Sequence, residues 1–185
     1  MAVEWNPLLV DQLEFQWATS LRPKLEGLTD AEYLWEPGPG AWTVRPRAEA
    51  ITRPWGGGDM VLDFAAPAPE PPPITTIAWR LAHVIVGCLA VRTASHFGGP
   101  PADFATHHYA AGADEALDQL DAAHDRWVAG VRALGEEGLA RPCGPAEGPF
   151  AAEPLAVLVL HIHREVIHHG AEILLLRDLY RVSRG

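Results

Sequence analysis

The stretch that most restricts the fold is His161-Ile162-His163-Arg164-Glu165-Val166-Ile167-His168-His169-Gly170-Ala171-Glu172, which runs on into Ile173-Leu174-Leu175-Leu176. Unbroken by Pro, it reads as one long C-terminal helix. Residues three and four apart share a helix face, so His161, Glu165, His168 or His169, and Glu172 form one stripe. Imidazoles and carboxylates on an otherwise apolar helix are costly to bury unless they pair or bind a metal. The chain must therefore supply neighbours that use this stripe.

Hydrophobic periodicity supplies three more helices. Leu13, Trp17, Leu21, Leu25 and Leu28 recur at spacings of four and three, predicting a helix from Pro7 to about Gly27 that Pro23 kinks or ends near its last turn. Thr29 and Glu32 have capping-box spacing and predict a short helix ending at Glu36-Pro37-Gly38-Pro39-Gly40. Thr75 or Thr76 caps the second long helix, whose face Ile77, Leu81, Val84, Ile85, Cys88, Leu89 runs to Phe97 and Gly98-Gly99-Pro100-Pro101. His83 falls in the middle of that face. The third spans Asp114 to Leu134, with His124 among Asp121, Asp125 and Arg126 read as solvated. Residues 135–153 read as loop, and Pro154 opens the fourth helix, which ends near Tyr180 with His163 on its exposed side.

Four long helices without a convincing strand run predict an all-α four-helix bundle, one domain over 1–185, with a long Pro/Gly-rich connection between the first two long helices. That connection carries Trp42, Trp55, Met60, Leu62 and Phe64, which a disordered linker would lack, so it is expected to pack over the bundle as a wall or lid. Its aromatics are also the expected contact of a homodimer.

The formal net charge of −10 and the absence of a basic run exclude phosphate-backbone recognition, so no nucleic-acid partner is expected. No apolar run reaches membrane-spanning length, and Met1-Ala2-Val3-Glu4-Trp5 lacks a leader's basic and apolar regions. Two cysteines, Cys88 and Cys143, make no disulfide framework and no zinc knuckle. A cytoplasmic protein with a small-molecule substrate is expected. Arg in place of Lys, with Lys24 alone, and abundant Ala, Gly and Pro suggest a GC-rich bacterial genome.

Bundles build metal sites from inward-facing side chains of neighbouring helices. Glu165 and His169 are an i, i+4 pair, and His83 is the best-placed third ligand. The competing reading makes His83 a core histidine bonded to a carbonyl or carboxylate, places His161, His163 and His168 on the surface, and pairs Glu165 with Arg164 or Arg92 and Glu172 with Arg177.

Three motifs remain: Leu34-Trp35-Glu36-Pro37 through Pro39-Gly40-Ala41-Trp42-Thr43-Val44-Arg45-Pro46, then Ile77-Ala78-Trp79-Arg80-Leu81-Ala82-His83-Val84, and His168-His169-Gly170. In these the chain resembles the DinB superfamily of bacterial four-helix proteins. The resemblance implies a divalent-metal site of three histidines, one from the second long helix and two at i, i+4 in the last. His83 matches the first and His169 the last, while Glu165 stands at the middle position. A carboxylate there keeps a two-His, one-Glu set, with zinc ahead of nickel or iron. The alternatives are a shifted register using His161 or His168, or a lost site. The family further implies thiol addition or transfer with mycothiol or bacillithiol, mycothiol fitting the composition better, or metal-assisted hydrolysis. A non-catalytic bundle binding a small molecule or protein is the alternative class.

Overall fold

A computed structural model describes residues 3–185; Met1 and Ala2, where the reading of the N-terminal segment begins, lie outside them. Helix α1 (5–24) starts at Trp5, two residues before Pro7, and contains a π-helical segment, Trp17–Leu21. There the Arg22 amide donates to the Trp17 carbonyl, one residue further back than an α-helix reaches. This wide turn lies immediately before Pro23. Proline lacks an amide hydrogen and its ring crowds the preceding turn, so a local widening lets the helix continue instead of breaking. Helix α2 (Asp30–Tyr33) carries the complete Thr29–Glu32 capping box.

Helix α3 (Ile77–Phe97) is capped by Thr76, whose hydroxyl accepts from the Trp79 amide at 3.2 Å. Its middle, His83–Ala90, is again π-helical. Against the expectation that no apolar run reaches membrane-spanning length, it is the one helix among the described residues long and apolar enough to cross a membrane, and 56% of that window is buried inside the bundle. Helix α4 (Ala113–Arg132) follows, then a short α5 (Gly135–Ala140) in a region expected to be all loop. Helix α6 (Leu155–Ser183) begins one residue after Pro154, which takes the N-cap position, not the first helical one.

The four long helices pack in the cyclic order α1, α4, α3, α6, so α3 touches both α4 and α6 while α1 lies diagonally across from it. The architecture is the all-α bundle the periodicity predicts. Its core joins Leu13, Leu21 and Leu25 to Ile77, Leu81 and Leu89, to Leu120 and Trp127, and to Leu155, Ile162 and Ile173.

The connection between α2 and α3 differs from expectation in holding a small antiparallel ladder. Strands β1 (Val44–Pro46) and β2 (Met60–Leu62) pair Val44 with Leu62 and Pro46 with Met60. Three-residue strands are too short to show alternation, which is why the sequence pattern passes over them. Behind the ladder, Asp63 is fully buried; its carboxylate accepts from Arg45 Nε at 2.8 Å and from the Thr43 amide at 3.1 Å. Trp42, Trp55 and Phe64 pack on one another, and Trp42 reaches Trp79 of α3.

Two histidines correct the sequence reading. His124 is 4% exposed and stacks on Trp17, with ring centroids 3.8 Å apart. His163 is 5% exposed and lies edge-on to Trp127. Charged neighbours suggested solvent for His124, but its helical phase matches Leu117, Leu120, Trp127 and Val131. His163 shares the phase of Val159 and Val166, because α6 is buried against α1 as well as α3.

Candidate metal centre

Helix α3 brings His83 to α6. The Thr76 cap fixes where α3 starts, and the first α-helical turns present Trp79, Arg80 and His83 to the α6 side. The Trp79 ring lies nearly parallel to that of His83, with centroids 5.6 Å apart, and its indole Nε1 donates to the Asp63 carbonyl at 2.8 Å. The ordered connection thus holds the wall against which His83 rests. At Gly87 an added Cβ would come within 2.8 Å of the Phe104 ring and 3.3 Å of His83 Nδ1. The absent side chain is what lets the 98–112 connection close over the π-helical turn beside His83.

On α6, Glu165 and His169 lie one turn apart, with Glu165 Oε2 and His169 Nε2 3.4 Å from each other. One ligand atom from each of His83, Glu165 and His169 lies within 4.8 Å of the others. The rings of His83 and His169 meet edge to face, with centroids 4.7 Å apart. The structure therefore brings together all three residues that the sequence singles out.

His169 Nδ1 sits 2.6 Å from Glu172 Oε2, and Arg80 Nη1 lies 3.3 Å from the same carboxylate oxygen. Glu172 instead of solvent fixes the ring, and Arg80 holds Glu172. The sequence reading gave Glu172 no partner in Arg80. Arg177, its suggested partner, bonds Glu32. His169 Nδ1 also has Arg80 Nη1 at 3.4 Å, and the tautomer decides which ring nitrogen donates; with the proton on Nδ1 and directed at Glu172, the Nε2 lone pair faces Glu165 Oε2. Two acceptors then face each other, an arrangement that a proton or a cation between them relieves. Their separation fits a cation: ligands about 2.1 Å from a tetrahedral centre stand about 3.4 Å apart.

Protonation favours the same reading. Burial, reinforced by the neighbouring His169 and Arg80, lowers the pKa of His83 to about 4, so the ring is neutral at physiological pH and has a lone pair to give. Burial alone would raise the Glu172 carboxyl, but the His169 hydrogen bond and the Arg80 charge hold it below its usual range. Cys88, near Glu165, is pushed up to about 12 by burial first and then by that carboxylate, so it is a thiol and no nucleophile.

The other stripe residues stand at the rim. His161 Nδ1 is 3.6 Å from Glu165 Oε1, and His168 Nε2 is 3.5 Å from Glu172 Oε1. His168, His169 and Glu172 form a second candidate group, but His168 is exposed and the group uses the contact that already orients His169. His107 is elsewhere, bonded to Gln119 on the α4 side, and Arg92 pairs with Glu147 and not Glu165.

A family model described as DinB superfamily matches residues 12–173, nearly the whole bundle. The chain belongs to the DinB superfamily. Comparison with curated proteins and with solved structures gives no match. DinB proteins are helical bundles that usually bind a divalent metal, and the His/Glu groups of this DinB chain have the donor chemistry for one. Glu165 and His169 both lie within the matched residues, and the Glu165 carboxylate faces His169 Nε2.

Proposed function

We propose that the protein is a divalent-metal-dependent enzyme of the DinB type, with His83, Glu165 and His169 holding the metal and zinc favoured over nickel or iron. The observation that carries this reading is the approach of three donors of the right chemistry from two helices, with a neutral His83 and a Glu172-oriented His169. A divalent cation there supplies a positive charge that lowers the pKa of a thiol or a water molecule. The residues do the rest: Glu172 holds the His169 ring, Arg80 holds Glu172, and Trp79 keeps one side of His83 apolar. A low-molecular-weight thiol such as mycothiol or bacillithiol, in a transferase or isomerase reaction, is the proposed co-substrate class; metal-assisted hydrolysis is the other.

Protein purified without chelator is expected to hold one divalent metal per chain by elemental analysis, and added zinc should raise the Tm of stripped protein. His83→Ala and His169→Ala should each abolish both effects. No stoichiometric metal together with an unmoved Tm would sink the proposal. It would favour the second reading, a non-catalytic bundle, to which the contacts of Glu165 with His161 and Arg164 at 3.6 Å lend support.

A further inference from the structure

The outward face of α6 carries an apolar stripe with no partner among the described residues. Val157, Leu160, Ile167, Leu175, Leu179 and Val182 are all exposed, and Leu175 is 59% exposed. Arg164, Ala171 and Asp178, also exposed, fill the gaps. From Val157 the positions step to 160, 164, 167, 171, 175, 178 and 182, always by three or four, so they lie on one face opposite the buried residues Leu155, Ile162, Val166 and Ile173. The stripe extends over about 38 Å at a rise of about 1.5 Å per residue. Scattered surface leucines need no explanation, but apolar residues that recur along one face over this length, interrupted by Arg164 and Asp178, mark a contact surface.

We infer that this face pairs with the same face of a second copy of the chain, antiparallel, about a two-fold axis passing beside Ala171. The order of residues around Ala171 argues for that occupant. A two-fold contact sets each position i opposite 342 minus i of the other copy, given Ala171 on the axis. Ile167 then meets Leu175 of the partner subunit, and Leu160 meets Val182 of the partner subunit. The one basic residue of the stripe, Arg164, falls opposite Asp178 of the partner subunit, its one acidic residue, and the pairing repeats on the other side of the axis. The small Ala171 lies at the crossing, where the helices approach most closely. A face that matches itself in apolar, charged and small positions about one point fits a copy of itself.

The aromatics of the α2–α3 connection do not compete for this role, since Trp42 is buried and Trp55 and Phe64 pack within the chain. A single helix pair lies at the lower end of stable interface sizes, so the dimer should dissociate in the micromolar range. The inference stands apart from the metal proposal and is read by mass, not activity.

Sedimentation velocity over about 1–200 µM protein is the test. The wild-type chain should shift with concentration from monomer to dimer. Leu175→Glu should remain monomeric with an unchanged circular dichroism spectrum. Arg164→Asp should weaken the dimer about tenfold by setting like charges opposite each other. Arg164→Asp combined with Asp178→Arg should recover it. Phe15→Glu, on the exposed face of α1, should leave it intact. A wild-type chain monomeric throughout, a dimer that survives Leu175→Glu, a dimer lost in Phe15→Glu, or a charge swap that fails to restore association would each overturn the pairing.

Discussion

At the scale of single residues, the molecule contains histidines buried for two different ends. His83 and His169 share their site with carboxylates, whereas His163 sits in the core between α1 and α4 with only His124 as a titratable neighbour in its pKa balance. Burial, with His124 adding to it, lowers the His163 pKa to about 4, and a backbone contact with Leu9 works partly against this. The unfolded chain takes up a proton near pH 6.5, which the folded chain refuses until about pH 4. Stability contributed at His163 is therefore full above pH 6.5 and falls as pH drops through that window, by about 3 kcal/mol at most. Urea midpoints at pH 7 and pH 5 should show about 2 kcal/mol of that loss, and His163→Phe should flatten the slope; an equally steep slope in the variant would refute it. Glu172 is the other telling residue. Its carboxylate orients His169 without itself being a proposed ligand, so Glu172→Gln should cut zinc affinity 10- to 100-fold while leaving the three proposed ligands in place, measured by competition with a chelating dye. The pairing of Glu165 with His169 was legible in the sequence because four-residue spacing is a sound guide to a helix face, and the approach of His83 because it interrupts an apolar one. Arg80 was not, since its importance comes from a contact across helices, and His163 was misjudged because one stripe was followed where α6 has two buried sides.

At the scale of elements, the long helices follow from periodicity and caps, and their ends agree within a few residues with what Thr76, Gly98 and Pro154 suggest. The two π-helical segments were not legible, because a template of 3.6 residues per turn absorbs one extra residue as noise. Yet the second of them begins at His83, so the geometry on the C-terminal side of the candidate ligand depends on it. Close helix approach was equally hidden. A Cβ at Gly130 on α4 would come within 2.1 Å of the Phe97 ring at the end of α3. Gly130→Ala should therefore destabilise the bundle: overpacking costs about 1–3 kcal/mol, against a gain in helix propensity of about 1 kcal/mol. Phe97→Leu in the same chain should recover part of the loss. Thermal denaturation of the two single variants and the double variant checks this, and a Gly130→Ala chain as stable as wild type would refute it.

At the scale of the whole molecule, the long connection is the part that sequence reading placed least well, yet it joins the fold to the site. Its aromatics predicted packing; what they could not reveal is that Asp63 anchors it. With no exposure, the Asp63 side chain has Arg45 as its only cationic partner among the described residues, while its backbone carbonyl receives the Trp79 indole that stacks on His83. The chain of contacts runs from Arg45 through Asp63 and Trp79 to His83. Arg45→Met would leave a buried carboxylate without its countercharge, a change that costs about 3–5 kcal/mol. The four-helix core retains its own apolar contacts, so the loss should fall on the connection, as local opening and not global collapse. Trypsin or thermolysin should then cut between residues 42 and 75 in the variant under conditions where the wild-type chain stays whole, while helical circular dichroism is kept. Zinc affinity should fall as well, because Trp79 loses the acceptor that fixes it beside His83. Arg45→Met combined with Asp63→Leu removes the stranded charge and should restore resistance to the protease. A single variant as resistant as wild type would mean that aromatic packing alone holds the connection. Faster cleavage with unchanged zinc affinity would separate the connection from the metal centre.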